Sequence, residues 1–229
     1  MMFSELSKVM DHAIHDNRYI DSLKENIASK QTKSNQKRTD SALINLFKFD
    51  EDYVPFKCFK HFWQIVDENE LPTITLLYAV CHDYLLKESA NVILETPVGE
   101  KVSKPRLEAN IELYHPQKFT KNTISSATRN LISSWKQAGY ISYNKLGIRI
   151  QQNHSYQIVA FAFLMAYVNG DRGDFILKSK WVKILALSEL QIRELAAEAA
   201  KRDLLQYQFA GNVSVISFNN LFERLNIDA

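Results

Sequence analysis

The chain has 229 residues, of which 46% are hydrophobic and 24% charged, and its formal net charge is only +2. This length is sufficient for one large or two small domains, and the composition excludes a fibrous or disordered protein. With six Gly and five Pro in the whole chain, we expect long helices to dominate.

The sequence contains no segment that predicts insertion into a membrane. The longest apolar run, Ile158 to Val168, has 11 residues, whereas about 20 are needed to span a bilayer. The first residues lack the basic and then apolar pattern of a signal peptide. Cys58 and Cys81 are not spaced as a metal or redox pair. We therefore predict a cytoplasmic protein with two reduced core thiols and a buried helix at 158–168.

Residues 1–98 have the pattern of an N-terminal helical bundle. Apolar residues recur at helical spacing over residues 4–29, which predicts one or two helices. A further helix is expected to begin at Thr39 or Asp40 and to run to Phe47, and another covers Phe56 to Val66. Pro72 precedes a strongly apolar helix, Thr73 to Leu86, which we expect at the centre of the core.

The segment Glu95 to Pro105 carries two Pro and one Gly, which predicts a weakly structured connector and a domain boundary. After it we expect a module over residues 99–154. Its elements are a short helix from Arg106 to Tyr114, a second helix from about Asn122 or Thr123 to Gly139, and two short strands. The strands, Tyr140–Tyr143 and Ile148–Ile150, flank a turn. This order is typical of a winged helix-turn-helix.

Charge is distributed unevenly, and the imbalance falls on this module. Residues 101–150 contain nine Lys or Arg but only Glu108 and Glu112 as acids, and no acid occurs between Glu112 and Asp171. The absence of acids over this length could arise by chance, because part of it, Ile158 to Val168, is an apolar core segment. Basic windows also bind acidic proteins. A second basic stretch, Lys30 to Arg38, is expected to be a solvated loop or a helix end.

The pattern within the window favours nucleic acid. On the helix, Ile124, Ala127, Leu131, Trp135 and Ala138 form an apolar stripe, and the opposite face carries only hydrogen-bonding and cationic side chains. The second helix of a helix-turn-helix enters the major groove of DNA, where Arg recognises guanine and Asn recognises adenine. The DNA-binding residues that we predict are Lys118, Lys121, Ser125, Ser126, Arg129, Asn130, Ser133, Lys136, Lys145 and Arg149.

Residues 155–229 repeat the order of helix and hairpin. Ser188 caps a helix that reaches Leu205, and alternating strands cover Gln206–Phe209 and Val213–Phe218. A second winged module is therefore expected, with Arg193 in the place of Arg129. Its helix carries several acids, which would repel phosphate, so we predict a structural or protein-binding role.

The sequence shows no set of residues that predicts catalysis. His12 and His15 have a spacing that could hold a metal, but without a third ligand a solvated helix fits better. His82 and Asp83 fit a buried, hydrogen-bonded pair. We therefore predict a protein that is not an enzyme and has no metal, cofactor or small-molecule substrate. Its expected partners are double-stranded DNA and other protein subunits.

Several segments resemble a known family. They are Asn26–Arg38, Ala42–Phe47, Tyr84–Leu86, Ser126–Leu131 and Ala138–Ile141. Together they are similar to the BrxA family, which are small, mostly helical, DNA-binding accessory proteins of bacteriophage-exclusion (BREX) defence systems. The resemblance covers about residues 20–141, and the segment 155–229 extends beyond it. It implies DNA binding and a role in antiviral defence.

Overall fold

The computed structural model describes residues 1–144, 146–211 and 213–228, and it is mainly α-helical, as the sequence predicts. No helix in these residues is long and apolar enough to cross a membrane. The buried hydrophobic side chains join into one cluster that extends from α1 to the last helix. The division of the chain into three domains, residues 1–98, 99–154 and 155–229, stays a prediction.

The N-terminal part contains six helices among the described residues, and they differ from the predicted ones at two places. Their bounds are α1 Phe3–Ala13, α2 Tyr19–Lys24, α3 Lys33–Phe47, α4 Val54–Ile65, α5 Leu71–Ala79 and α6 Tyr84–Glu95. Helix α3 begins earlier than predicted, because the side chain of Thr32 accepts a hydrogen bond from Asn35 N. The basic stretch before Thr39 is therefore mostly helical.

The predicted apolar helix over residues 73–86 is two helices. Helix α5 ends at Ala79, and the Asp83 side chain accepts a hydrogen bond from Leu86 N, which starts α6. Asp83 is thus a helix cap, and not the buried partner of His82. The His82 ring instead lies 3.1 Å from the Tyr53 hydroxyl through Nε2. An Asp cap satisfies a backbone N–H that would otherwise be unpaired, which explains the break.

Two helices and a hairpin follow α6. Helix α7 spans Lys104–Tyr114 and α8 spans Lys121–Gln137. Antiparallel bridges join Ile141 to Arg149 and Lys101 to Ile148. The segment predicted as a weakly structured connector therefore pairs with the hairpin, because the open edge of the hairpin backbone needs partners. Val102 N donates to Gly147 O at 3.1 Å, and Arg149 N donates to Glu100 O at 2.8 Å.

The C-terminal part is built around helix α9, Tyr156–Val168, whose residues Ile158–Ala166 are all buried. It packs against α4 and α5 as well as against later helices. These later elements are α10 Asp174–Leu177, α11 Lys180–Ile184, α12 Glu189–Lys201, β1 Gln206–Ala210, β2 Val213–Ser217 and α13 Asn219–Leu225. The predicted buried helix, the Ser188 cap and the hairpin are confirmed.

The start of α8 provides a test of the local structure. Thr120 is the cap, because its hydroxyl accepts a hydrogen bond from Thr123 N at 3.2 Å, and the predicted caps Asn122 and Thr123 lie inside the helix. We expect Thr120→Ala to lower the free energy of unfolding by about 1 kcal/mol. Asn122→Ala, at an exposed helical position, should change it by less than about 0.5 kcal/mol. Urea denaturation followed by circular dichroism measures both, and equal losses would contradict this assignment.

Candidate nucleic-acid interface

Helix α8 is held by one buried stripe, which determines the side chains that face solvent. Ile124, Leu131, Trp135 and Ala138 are buried as predicted. The Trp135 indole Nε1 donates a hydrogen bond to Ser89 Oγ on α6 at 2.8 Å, with both groups buried. Because this bond fixes the rotation of α8 about its axis, the polar side of the helix is turned away from the core.

Most of the predicted DNA-binding residues are accessible in this arrangement. Ser125 and Lys136 are partly exposed, and the others on or before α8 are exposed: Lys118, Lys121, Ser126, Arg129, Asn130 and Ser133. Lys145 lies outside the described residues. The predicted DNA-binding side chains on α8 are therefore exposed or partly exposed from Lys121 to Lys136.

Arg149 was predicted to contact DNA, and the structure corrects this. Its side chain is only 2% exposed, and its guanidinium lies 5.1 Å from the centre of the Tyr140 ring. Nη1 donates to Tyr140 O at 3.3 Å and also to Ile150 O. Ile148 and Ile150 flank Arg149, and this alternation suggests that the two isoleucines face the core and Arg149 faces solvent. In the hairpin, Ile150 instead faces outward and Arg149 inward. Arg149 supports the hairpin and cannot reach a phosphate on the surface.

Contacts within the interface orient two of its side chains. Arg129 Nη2 donates to Ser126 Oγ at 2.9 Å, one helical turn earlier. Lys104 Nζ donates to Ser125 Oγ at 3.1 Å, which links the start of α7 to α8. Both donors are cations and both acceptors are hydroxyls of α8; Lys104 also lies 3.4 Å from Glu108 Oε1 on α7.

Lys118, before α8, lies against aromatic rings. Its Nζ is 4.9 Å from the centre of the Tyr84 ring and 5.4 Å from that of Phe119. A cation over an aromatic face is attracted by the negative face of the ring. Lys118 therefore has a favourable contact and is still exposed to solvent.

One flank of α8 borders a cleft of about 730 Å³, which we call the N-terminal cleft. Asn130 and Ser133 line it together with residues of α1, α3 and α6. Gln137 Oε1 accepts a hydrogen bond from Phe3 N at 3.0 Å, so the chain start packs on the last turns of α8. The N-terminal half of α8 is consequently the more open half. Arg38, the last residue of the second basic stretch, also lines this cleft, although it was not among the predicted DNA-binding residues.

The other flank borders a cavity of about 490 Å³, which we call the hairpin cavity. Lys136 lines it together with Lys101 and Lys104. Neither Lys101 nor Lys104 was predicted as a site residue, because both lie in the segment Glu95 to Pro105, which was interpreted as a connector. Their charges were nevertheless part of the basic window, which was the one available signal.

The C-terminal module carries the counterpart of Arg129 in a different environment. Arg193 donates to Glu189 Oε1 from Nε at 2.9 Å and from Nη2 at 2.7 Å. Nη1 donates to the Tyr207 hydroxyl and to Ser214 Oγ, and the guanidinium stacks on Phe209, 3.8 Å from its ring centre. The charge of Arg193 is thus internally neutralised and its donors are occupied.

No protein-family model, curated protein or solved structure matches this chain. Among the residues that the structure describes, no group of three His, Cys, Asp or Glu side chains could hold a metal ion. His12 instead has its Nδ1 2.7 Å from Ser22 Oγ. The geometry of α8 and its surroundings is therefore the main guide to function.

The half-buried imidazole of His154, next to the hairpin, makes stability depend on pH. His154 Nε2 lies 3.3 Å from the Tyr140 hydroxyl, and burial lowers the pKa of His154 to about 4, with the Arg149 charge acting in the same direction. A histidine in the unfolded chain titrates near 6.5. The unfolded state therefore binds more protons between these values, and stability falls as pH falls from about 6.5 towards 4.

We expect the free energy of unfolding to be roughly 2 kcal/mol lower at pH 4.5 than at pH 7 because of this histidine. Urea titrations at the two pH values measure the difference. In His154→Gln the difference should shrink without vanishing, since burial also lowers the pKa of His61 and His82. An unchanged pH dependence in the variant would rule out His154 as a source.

Proposed function

We propose that this chain is a non-catalytic protein that binds duplex DNA through α8. The observation that carries the proposal is the outer face of this helix. It presents cations and hydrogen-bonding groups, and no carboxylate, within a stretch of sequence that lacks acids from Leu113 to Gly170. A polyanion is the ligand that such a surface attracts.

The dimensions and the side chains of α8 suit the major groove. An α-helix with its side chains is about 10–12 Å across, and the groove is about 12 Å wide. Recognition helices contact bases with their N-terminal residues, and this is the more open half of α8. Arg129 can pair with guanine, and Asn130, at the edge of the N-terminal cleft, can pair with adenine. Each such pair discriminates by about 1–3 kcal/mol.

Contacts to the DNA backbone would come from the cations that precede and begin the helix. Lys118 and Lys121 are exposed; Lys118 lies three residues before α8, and Lys121 is its first residue. Backbone contacts fix the position of a protein on DNA without reading its sequence. The C-terminal module has no comparable role in this proposal, because Arg193 is already paired with Glu189.

The biological context that we propose is bacterial antiviral defence in the cytoplasm. It rests on the resemblance of residues 20–141 to the BrxA family, and the chain would act there as an accessory DNA-binding subunit beside other proteins. The neighbouring genes test it. A methyltransferase, a large ATPase and a phosphatase-like gene beside this one would support the context, and their absence in several genomes would count against it.

A second function has one observation in its favour. Tyr143 and Leu146, next to the hairpin turn, are 74% and 61% exposed. Exposed apolar side chains beside a basic face also suit an acidic protein partner, which would make the chain an assembly subunit. Pull-down from nuclease-treated lysate separates the two, because a protein partner survives nuclease treatment and a DNA-mediated association does not.

Charge reversal on α8 tests the DNA proposal. Wild-type protein should bind a fluorescein-labelled 20-base-pair duplex with an affinity that falls steeply between 50 and 200 mM KCl, because binding releases counterions. Lys121→Glu with Arg129→Glu should weaken binding at least ten-fold in anisotropy titrations. The matched control, Lys178→Glu with Lys180→Glu, makes the same charge change on the C-terminal part. Salt-independent binding, or equal effects of both double variants, would count against the proposal.

A further inference from the structure

The hairpin cavity is formed by three elements that meet beside α8. Lys101 belongs to the segment that pairs with Ile148 of the hairpin, Lys104 is the first residue of α7, and Lys136 lies in the last turn of α8. Residues Leu146 and Gly147 of the hairpin close the cavity. The tertiary fold therefore brings together three lysines that are up to 35 positions apart in the sequence.

The charges around this cavity are of one sign. Among the described residues that line it, three are lysines and none is Asp or Glu. Lys104 has one carboxylate within reach, Glu108 Oε1 at 3.4 Å, on the exposed surface of α7. Lys101 and Lys136 form no ion pair with any residue that the structure describes. An anion in the cavity would be attracted by the ammonium groups of these lysines.

The remaining lining makes the cavity suitable for a particular anion. Val102, Pro105, Ile132 and Ile141 provide apolar walls. Apolar atoms beside a charged group lower the local dielectric constant, which strengthens its attraction to an anion. A DNA phosphodiester matches both properties, since its charged oxygens accept hydrogen bonds from ammonium groups and its adjoining sugars are partly apolar.

We propose that the hairpin cavity binds a backbone phosphate of duplex DNA through Lys101, Lys104 and Lys136. This inference rests on the proposed DNA binding and identifies the site that anchors the backbone. Lys104 also contacts Ser125 on α8, so the anchor is directly linked to the first turns of the helix. A phosphate held there fixes the position of α8 along the groove, and therefore which bases Arg129 can reach.

The test compares salt dependence in variants that keep or remove these charges. The triple variant Lys101→Gln, Lys104→Gln, Lys136→Gln is titrated with the labelled 20-base-pair duplex at several KCl concentrations. The slope of log affinity against log salt should become shallower by about one unit, because the loss of one phosphate contact removes about 0.9. Affinity at 100 mM KCl should fall at least ten-fold. The corresponding triple Arg variant keeps the charges and should keep the slope.

The controls separate failure of this inference from failure of DNA binding itself. Lys178→Gln, Lys180→Gln, Lys183→Gln removes the same charge from the C-terminal part and should leave the slope unchanged. If the wild type binds with a steep slope and the cavity variant has the same slope, the phosphate site is wrong and DNA binding through α8 stands. A wild type that binds no duplex at 50 mM KCl overturns both proposals. Circular dichroism of each variant establishes that it is folded.

Discussion

Helix α9 imposes the constraint on which the rest of the structure depends. None of its 13 residues is charged, and nine consecutive residues, Ile158–Ala166, are completely buried. A helix that is apolar on all sides must be covered on all sides. Here α4 and α5 cover it from the N-terminal part, and α11 and α12 from the C-terminal part. Both ends of the chain are thereby tied to one core.

The position of α8 follows from this core through a short series of contacts. Helix α5 contacts both α9 and α8, and the bond between Trp135 and Ser89 joins α8 to α6. The large buried side chains on one side of α8 thus determine which of its side chains face solvent.

The two helix-and-hairpin modules show how the same local order can support different surfaces. In the first, Arg129 contacts a serine and the nearby lysines Lys101 and Lys136 have no acidic partner among the described residues. In the second, Glu189 occupies the position one turn before Arg193 and neutralises it. Glu189 corresponds to Ser125 of the first module, so the acid that pairs with Arg193 has a serine in its place beside Arg129.

The sequence alone determined the helical class, the buried helix α9, the apolar stripe of α8 and the C-terminal hairpin, because each depends on local periodicity and capping. Helix boundaries were less predictable, since Thr32, Asp83 and Thr120 compete as caps with nearby polar residues of similar chemistry. Only the tertiary structure decided which charges are accessible. Burial of Arg149 depends on the register of the hairpin, and the meeting of Lys101, Lys104 and Lys136 depends on pairing between segments that are distant in the chain. Local sequence patterns contain neither the register of the hairpin nor the pairing of distant segments. The sequence therefore showed where the basic residues are concentrated but not which of them lie on the surface.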